Sequence, residues 1–291
     1  MDDAIRKAEA LVEALGYIRT FRDRLTVIKL GGSAMEEVDA LRATLQSIVL
    51  LETVGLRPIV VHGGGKPIDR AMAVSGLVPK KIQGRRFTDD ATLRIVVDVL
   101  TNEINAGIVQ QMRELGGRAV GLHSGTLQAL HGERLTLPNP SGEPIDLGRV
   151  GQVTRVDAAL IAGFANAGVV PVIPSLAFDS AGGWLNVNAD TAACSVAAAM
   201  KAAKLVMLTD TPGILRNPKD SGSLISHLDS AECRKLVADG VIDGGMIPKV
   251  EACFDALSNG VGKVHVIDGR RKYSLLLEIF TDSGVGTEIV L

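Results

Sequence analysis

Two glycine clusters follow apolar segments that have the composition of β-strands. The first is Gly31-Gly32-Ser33 after Val-Ile-Lys-Leu, and the second is Gly63-Gly64-Gly65 after Ile-Val-Val-His. Glycines lack a Cβ, so backbone N–H groups can approach an anion closely, and a helix that begins just after them adds a partial positive charge. A single cluster of this kind is commonly no more than a tight turn. Two clusters at strand ends of one sheet favour a polyphosphate-binding site.

The common nucleotide-binding motifs do not account for these glycines. Val60 stands where a Walker A pattern ending in Gly65-Lys66 needs its first glycine, and Pro67 stands where it needs Ser or Thr. No predicted strand is followed by G-x-G-x-x-G, which excludes the dinucleotide-binding and protein-kinase fingerprints. A phosphate site in this chain therefore belongs to another class.

Two lysines occupy positions where a positive charge needs an anionic partner. Lys29 lies inside the apolar strand Leu25–Leu30, on the face opposite Ile28, and burying an unpaired ammonium group is costly. Either a structural salt bridge or a bound phosphate would satisfy it. Lys249 follows a proline that suits the first turn of a helix, where a cation opposes the helix dipole. An anionic partner would satisfy Lys249, and a side chain pointing into solvent would explain it as well.

A third polar cluster lies at the start of another predicted helix. Asn188 is a favoured N-cap residue, and Asp190 falls in the first turn, where a carboxylate complements the helix dipole. Capping does not account for Asn186, which lies on the same side of an extended segment as Asn188. We therefore expect two amides and one carboxylate to form a polar site at this helix start.

Alternating strand and helix patterns predict the scaffold for these residues. The predicted strands, nearly all apolar, are Leu25–Leu30, Pro58–His62, Arg118–Leu122, Val169–Ile173, Lys204–Thr209, Lys263–Ile267 and Thr287–Val290. The predicted helices are Glu36–Val54, Pro67–Ser75, Asp89–Leu115, Val156–Ala167, Ala189–Ala202, Ile247–Ser258 and Tyr273–Thr281. This order is typical of an α/β fold in which helices cover both faces of a parallel sheet. Leu130–Gln152, rich in Gly, Pro and polar residues, predicts a hairpin or long loop on the surface of the first lobe.

The length of 291 residues allows two lobes or one large domain. An Ala-rich helix ends near residue 200 and a new strand–loop–helix series begins, so we place a lobe boundary between residues 25–200 and 201–291. Residues 1–24 form a separate segment. Their apolar positions draw one stripe of an amphipathic helix, and these are Ile5, Ala8, Val12, Leu15 and Ile18. This helix either packs on its own domain or docks on another subunit.

Composition excludes several classes of protein. The 31 basic and 33 acidic residues give a net charge of −2, which argues against a dedicated binder of nucleic acid or anionic membrane. The apolar stretch Ala158–Phe178 contains glycines and prolines that predict a helix, a turn and a strand, whereas a membrane helix needs ~20 apolar residues. Three scattered cysteines argue against disulfides and structural zinc. With an N-terminus unlike a signal peptide, they predict a cytoplasmic protein.

The motifs, taken in chain order, resemble the amino acid kinase family. They are VIKLGG, IVVHGGGK, NVNAD, TDTPGIL and GGMIPK, within a similarity that runs from about Leu25 to Leu291. The resemblance implies a three-layer αβα sandwich with a central, mostly parallel sheet, an acyl-acceptor lobe (25–200) and a nucleotide lobe (201–291). NVNAD and Gly84–Asp89 (GRRFTD) are similar to members that use ATP to phosphorylate the γ-carboxylate of N-acetyl-L-glutamate in arginine biosynthesis.

The same resemblance implies roles for individual residues. Lys29 and Lys249 would stabilise the transferring phosphoryl group, and Asp190 would hold both lysines in place. The residues implied to bind the acceptor are Gly64, Gly65, Arg86 and Asn186. Those implied to bind ATP are Gly31, Gly32, Thr209, Asp210, Gly213, Leu215, Gly245 and Met246. No cysteine or histidine set suggests a protein-held metal, so Mg²⁺ would arrive with the nucleotide, held by phosphates and water.

The N-terminal helix and the C-terminal stretch Lys263–Gly286 are similar to arginine-inhibited members of the family. In those members the N-terminal helix joins dimers into a hexameric ring, so the resemblance implies a homo-oligomer. Arginine would contact Tyr17, His265, Glu278 and Gly284. A carboxylate on the surface of a helix is an equally good interpretation of Glu278. A PII-type nitrogen-signalling protein is a further candidate partner.

Two alternative functions remain open at this point. The chain could be another small-molecule kinase of the same family, acting on carbamate, glutamate, aspartate or a nucleoside monophosphate. It could also be a non-catalytic arginine-sensing or partner-binding protein on a kinase fold. The presence of Lys29, Asp190 and Lys249 argues against the second alternative.

Overall fold

Strands and helices alternate along the chain in the order that the apolar pattern predicts. The computed structural model describes residues 1–31, 35–123, 127–139, 141–217, 219–242, 246–281 and 284–291. The strands are β1 Leu25–Leu30, β2 Arg57–His62, β3 Lys81–Ile82, β4 Arg85–Arg86, β5 Ala119–Gly121, β6 Leu130–Arg134, β7 Leu137–Pro138, β8 Pro144–Ile145, β9 Val150–Val156, β10 Val170–Pro174, β11 Leu176–Phe178, β12 Trp184–Val187, β13 Lys204–Thr209, β14 His227–Leu228, β15 Lys263–Asp268 and β16 Thr287–Ile289.

The predicted helices and the seven predicted strands begin and end close to their predicted positions, whereas the helix Ser230–Ala238 and the strands β3, β4, β11, β12 and β14 were not predicted. The helices are α1 Asp2–Phe21, α2 Val38–Thr53, α3 Gly65–Val74, α4 Asp90–Asp98, α5 Ala106–Glu114, α6 Ala158–Asn166, α7 Ala189–Ala199, α8 Ser230–Ala238, α9 Ile247–Ser258 and α10 Ser274–Ile279. The predicted helix Asp89–Leu115 is interrupted, because a π-helical turn, Val99–Asn105, separates α4 from α5. The stretch Ala158–Phe178 is a helix and two strands, and none of the helices in the described residues combines the length and apolarity needed to span a membrane.

An eight-stranded sheet forms the centre of the fold, in the order β14-β16-β15-β13-β1-β2-β10-β5. Only the β15–β16 pair within it is antiparallel, so the predicted mostly parallel sheet is confirmed. Strand β1 lies between β13 and β2. After β1 the chain continues to β2 on one side of it, and β13 is added later on the other side, so the direction of strand addition reverses at β1. In open α/β sheets, ligands bind at the carboxyl ends of strands beside such a switch point.

Helices cover both faces of the sheet, which confirms the predicted αβα layers. Alternation along β1 sends Val27 to one face, where it packs in a core with Ala193 of α7 and Leu257 of α9. Ile28 faces the other way and packs with Ile48 of α2. Lys29 shares the face of Val27, as predicted from its position opposite Ile28. The strand therefore aims this lysine toward α7.

The Leu130–Gln152 region forms the predicted hairpin, because β6 and β9 pair antiparallel. Beyond the prediction, β11 and β12 close a small ring with β6 and β9. Strand β12 pairs in parallel with β9 through Asn186 and Val150. The ring thus fixes the extended segment that carries Asn186 immediately before α7.

The N-terminal helix α1 has no buried residue in the chain. Leu11 and Val12 are more than 70% exposed. Only the end of the helix packs on the rest of the protein, where the ring of Tyr17 lies edge-on to Phe280 at 6.3 Å between centroids. The interpretation that α1 packs along its own domain is therefore wrong for most of its length.

Candidate active site

A cleft of about 260 Å³ lies at the carboxyl ends of β1 and β2, at the sheet's switch point. Its walls include Lys29, Gly31, Gly64, Gly65, Arg86, Asn186 and Asp190. These residues come from segments up to 161 positions apart, from Lys29 to Asp190. The structure thus brings the predicted acceptor-binding residues together with Lys29 and Asp190. Gly32 and Gly245 lie outside the described residues.

Asp190 joins the two predicted lysines. Its Oδ1 forms an ion pair with Lys29 Nζ at 2.8 Å, and its Oδ2 accepts a hydrogen bond of 2.9 Å from Lys249 Nζ. The side chains of Lys29 and Lys249 are only 9% and 16% exposed. The solvent-facing interpretation of Lys249 is therefore wrong. The salt bridge considered for Lys29 is present, and because Lys29 also lines the cleft, the salt bridge is compatible with a role toward a bound anion.

The three groups together carry a net positive charge. Burial alone would raise the pKa of Asp190, but the charges of Lys29 and Lys249 outweigh it and lower that pKa to about 2. Asp190 is therefore ionised at neutral pH. Each lysine ammonium has three N–H donors, and the contact with Asp190 occupies one. Lys29 lines the cleft, so its remaining donors are available there for an anionic ligand, whereas Lys249 contacts Asp190 but is not among the described residues that line the cleft.

The start of α7 has the predicted cap. Asn188 Oδ1 accepts hydrogen bonds from the backbone N–H groups of Asp190 at 2.8 Å and Thr191 at 3.1 Å. Asn186 is not engaged in capping. Its Nδ2 donates to Thr88 Oγ1 at 3.0 Å, and the side chain borders the cleft. The capping amide thus fixes the helix start, while Asn186 faces the cavity, as the sequence predicts.

Arg86 is held against the second glycine cluster. Its Nη2 contacts Asp69 Oδ1 at 2.6 Å and donates to the carbonyl oxygen of Gly65 at 3.1 Å. Its side chain is 9% exposed. Asp69 was missed from the sequence, because a pair between residues 17 positions apart leaves no periodic signal. These contacts fix the guanidinium beside the cleft, where it can meet a carboxylate.

The predicted nucleotide-binding residues follow β13, the strand next to β1. Thr209 is buried, and its hydroxyl donates to the carbonyl oxygen of Thr211 at 3.0 Å. Gly213 has a φ of +149° in the same loop, and Asp210 is exposed. The described walls of the cleft contain Gly31 but none of Thr209, Asp210, Gly213, Leu215 and Met246. The loop lies at the neighbouring strand end rather than in the acceptor cleft.

A metal ion has no ready-made protein site in the described part of the chain. No three His, Cys, Asp or Glu side chains there gather as metal ligands. Asp190, the carboxylate at the cleft, has each oxygen in contact with a lysine. The donor set therefore fits a cation that arrives with most of its ligands supplied by phosphate and water.

His265, Glu278 and Gly284 form a second polar cluster, beside β15. His265 Nδ1 lies 2.7 Å from Glu278 Oε1, and Glu278 Oε2 accepts from the backbone N–H groups of Val285 and Gly286. A Cβ at Gly284 would lie 2.9 Å from that oxygen. Both paired side chains are 4% exposed. The surface-carboxylate interpretation of Glu278 is therefore wrong.

Burial would raise the pKa of Glu278, but His265 and the two backbone N–H groups lower it below its ordinary value. His265 Nε2 is buried without a hydrogen-bond partner among the described residues. Burial and the charge of Lys263 lower the pKa of the nearby Lys204, whereas Glu288 and Glu278 oppose the shift. The Nζ of Lys204 lies 4.5 Å from the ring centroid of Phe21, at the end of α1. Tyr17 approaches this region through Phe280.

The sequence of the chain is similar to that of a known protein family. The sequence pattern of the Amino acid kinase family matches residues 24–268. Over 287 residues, the chain is 46% identical to a protein named acetylglutamate kinase from Thermoanaerobacter pseudethanolicus, with 99% of this chain and 94% of that relative covered.

Two solved structures of one enzyme are similar in fold. N-acetylglutamate synthase from Neisseria gonorrhoeae, in complex with coenzyme A and N-acetyl-glutamate, has a TM-score of 0.85 at 26% identity. The same enzyme with coenzyme A and L-arginine has a TM-score of 0.82 at 25% identity. The two matches cover 98% and 97% of this chain, which spans 63% and 65% of those longer chains.

Proposed function

Because the chain belongs to the amino acid kinase family, we propose that it transfers the γ-phosphoryl group of ATP to the γ-carboxylate of N-acetyl-L-glutamate. The product would be the acyl phosphate N-acetylglutamyl 5-phosphate. The observation that carries the proposal is the contact of Lys29 and Lys249 with Asp190 beside the acceptor cleft. The high identity to a full-length relative named acetylglutamate kinase supports this acceptor.

The chemistry of this reaction fits the residues of the cleft. A carboxylate with a pKa near 4 is ionised at pH 7 and attacks without a general base. The main obstacle is repulsion between the carboxylate and the phosphates, and positioned positive charge removes it. Lys29 and Lys249 supply that charge, and Asp190 keeps the two ammonium groups together. Lys29 is buried and the other two side chains are partly buried, which lowers the local dielectric and strengthens their effect.

The acceptor is proposed to bind in the lobe formed by residues 25–200. Arg86 can bind a carboxylate with parallel hydrogen bonds, and its position against Gly65 directs it to the cleft. Asn186 offers an amide to the same cavity. The N–H groups of Gly64 and Gly65 would complete the acceptor site.

ATP is proposed to bind in the lobe formed by residues 201–291. Its phosphates would contact the N–H groups of Gly31 and Gly32, and its nucleoside would lie along Thr209–Leu215 and residues 245–246. Mg²⁺, bound through phosphates and water, would neutralise phosphate charge. The sheet order supports this placement of ATP next to the acceptor, because β13 pairs directly with β1.

Hydroxylamine trapping tests the function directly. Acyl phosphates react with hydroxylamine to give hydroxamates, which form a coloured complex with Fe³⁺, so purified protein with ATP, Mg²⁺ and N-acetylglutamate should form a hydroxamate. Glutamate, aspartate, carbamate and a nucleoside monophosphate serve as competing acceptors, the last two followed by ADP release. No hydroxamate with N-acetylglutamate, or faster turnover of another acceptor, would reject this substrate.

We further propose that arginine, the end product of the pathway, inhibits the enzyme at the His265–Glu278 cluster. The buried Glu278 carboxylate suits a guanidinium or ammonium group, and the orphaned His265 Nε2 offers a further contact. The similar synthase structure with L-arginine supports an arginine site on this fold. The same hydroxamate assay with added arginine tests the regulation, and undiminished activity at millimolar arginine would reject it.

The N-terminal helix is proposed to join subunits into a homo-oligomer, a hexamer built from dimers. The support is the exposed apolar surface of the helix, since Leu11 and Val12 are more than 70% exposed. Sedimentation velocity should show a smaller species for the Leu11→Glu/Val12→Glu variant than for the unmodified protein. An unchanged sedimentation coefficient would reject the proposal. A PII-type signalling protein is proposed as a partner of this assembly, testable by co-sedimentation.

A further inference from the structure

A buried histidine and a buried asparagine connect the π-helical turn between α4 and α5 to the second glycine cluster. We call Gly63–Gly65 the glycine cradle. His62, the last residue of β2, is fully buried and immediately precedes it. Asn105, the last residue of the π-helical turn Val99–Asn105, is 1% exposed and contacts the histidine ring. Neither residue lines the cleft, so neither is expected to touch a substrate.

The hydrogen bonds fix the orientation of both side chains. Asn105 Nδ2 donates to the carbonyl oxygen of Val172 at 3.0 Å, and this acceptor excludes the flipped amide. The same Nδ2 lies 3.0 Å from His62 Nε2, which must therefore accept the second N–H. The ring proton is then on Nδ1, which donates to the carbonyl oxygen of Gly63 at 3.2 Å.

This arrangement needs a neutral ring. Burial lowers the pKa of His62 to about 4, although the contact with Gly63 opposes the shift. The tautomer that Asn105 selects therefore persists throughout the physiological pH range. The peptide group is planar and trans, so the N–H of Gly64 points away from the carbonyl group of Gly63 that His62 binds. His62 thus determines which way the first donor of the cradle faces.

The π-helical turn also contacts the cradle sterically. A Cβ at Gly64 would lie 2.7 Å from Ile104 and 2.8 Å from Leu100, both in the π-helical turn. The side-chain amide of Asn105 is itself tightly enclosed, since a Cβ at Gly121 would lie 2.2 Å from Asn105 Oδ1. A π-helical insertion shifts the side chains that follow it around the helix, and such insertions occur frequently at functional sites. Here the shift brings Asn105 onto the histidine ring.

We propose that His62, oriented by Asn105 of the π-helical turn, is a positioning residue that aims the Gly63–Gly64 peptide so that its N–H meets the acceptor carboxylate. The inference rests on the proposed function for the identity of the acceptor. The inference also gives the π-helical turn a role, which is to place Asn105 against His62. It also predicts that disturbing this pair weakens acceptor binding and leaves ATP binding intact.

The test compares two substitutions at one position. In His62→Asn the side-chain amide can replace Nδ1 and still donate to Gly63. In His62→Gln the amide reaches toward the former Nε2 position, and the bond to Gly63 is lost. Steady-state kinetics should show the KM for N-acetylglutamate raised about tenfold in His62→Gln, the scale of one lost hydrogen bond. The KM for ATP should stay within twofold, and His62→Asn should recover most of the loss.

Two further variants separate positioning from stability. Thr101→Val removes a partly buried hydrogen bond of 2.8 Å, which the hydroxyl of Thr101 in the π-helical turn donates to the carbonyl oxygen of Val97 in α4, without touching the cradle. It should lower the melting temperature and leave both KM values unchanged. Gly121→Ala places a methyl group directly against the Asn105 amide and outside the cradle, so it should reproduce the selective rise in KM for N-acetylglutamate even if the His62 variants fold poorly.

Hydrogen–deuterium exchange over residues 62–66, measured without substrate, completes the test. His62→Gln should exchange faster there than Thr101→Val. Three results would overturn the inference. The first is an equal rise in both KM values in His62→Gln, and the second is an equal effect of His62→Asn and His62→Gln. The third is equal exchange in His62→Gln and Thr101→Val. If the unmodified protein forms no hydroxamate with N-acetylglutamate, the proposed function fails, and the exchange comparison alone decides whether His62 orders the cradle.

Discussion

Asp190 and Glu278 are both mostly buried carboxylates, but they are held by different kinds of partner. Asp190 binds two ammonium groups, which reach it from β1 and α9. Glu278 binds the His265 ring and two backbone N–H groups. The lysines keep spare donors and give their cluster a net positive charge. The backbone donors are fixed and uncharged, so negative charge remains at Glu278.

This difference shows that a buried carboxylate has no role by itself, since its partners decide which ligand charge the cluster attracts. The Asp190 cluster suits an anion such as a transferring phosphoryl group. The Glu278 cluster suits a cation, and its rigid backbone partners hold the carboxylate in one place. Three measurements test this difference between the two clusters.

Removing either lysine should have the largest effect. Lys29→Ala and Lys249→Ala each take away one preorganised positive charge, and we expect kcat to fall ~10²–10³-fold in each. Lys66→Ala is the matched control, because this lysine also pairs with a carboxylate, Glu36, but its side chain is 62% exposed. Turnover of hydroxamate is the measurement. Unchanged turnover in both Lys29→Ala and Lys249→Ala would refute their assignment to the phosphoryl group.

Seven of the eight strands of the central sheet and the direction of Lys29 could be predicted, because apolar composition and alternation are local features of the sequence. The strands β3, β4, β11, β12 and β14, each two to four residues long, were missed. Alternation along β1 suffices to place Lys29 opposite Ile28, and Asn188 carries the local signature of an N-cap. Arg86 could be singled out by resemblance, but its contact with Asp69 depends on how β4 docks against α3. No sequence spacing encodes that docking.

The buried state of Glu278 could not be predicted for a related reason. A carboxylate at the end of a short amphipathic pattern normally faces solvent. Its burial depends on His265, thirteen residues earlier, and on backbone donors of the following loop. The π-helical turn was also missed, because the apolar pattern of Asp89–Leu115 continues through it. Its register change becomes visible only in the contact of Asn105 with His62.

The second-largest effect concerns the free energy of unfolding, which should depend on pH through the ionisation of Asp190. In the unfolded chain Asp190 takes up a proton near pH 3.8, whereas in the folded protein it stays ionised until about pH 2. Its contribution to the free energy of unfolding is therefore fully present above pH 4 and is lost as the pH falls from about 4 to about 2. The loss should be roughly 2 kcal/mol.

Urea unfolding of the unmodified protein and of Asp190→Asn, measured from pH 5 to pH 2, tests this expectation. The Asn variant should lack that part of the acid slope. Asp3→Asn is the control, because Asp3 pairs with Lys7 on exposed helix surface, and such pairs contribute little. Parallel curves for Asp190→Asn and the unmodified protein would show that the lysines do not stabilise the ionised carboxylate.

The smallest expected effect separates the second cluster from the first. Glu278→Gln keeps the size of the side chain but removes its charge, so the arginine concentration for half-inhibition should rise at least about tenfold, as expected for a lost hydrogen bond to a charged group. Glu288→Gln is the control: Glu288 also pairs with a histidine, His227 at 3.1 Å, yet that histidine is 59% exposed. It should leave the half-inhibiting concentration within about twofold, since exposed pairs are weak. Equal sensitivity to arginine in Glu278→Gln and the unmodified protein would mean that the negative charge of this cluster serves the fold alone. The contrast with Asp190 would then lie in packing rather than in the ligands that the two clusters attract.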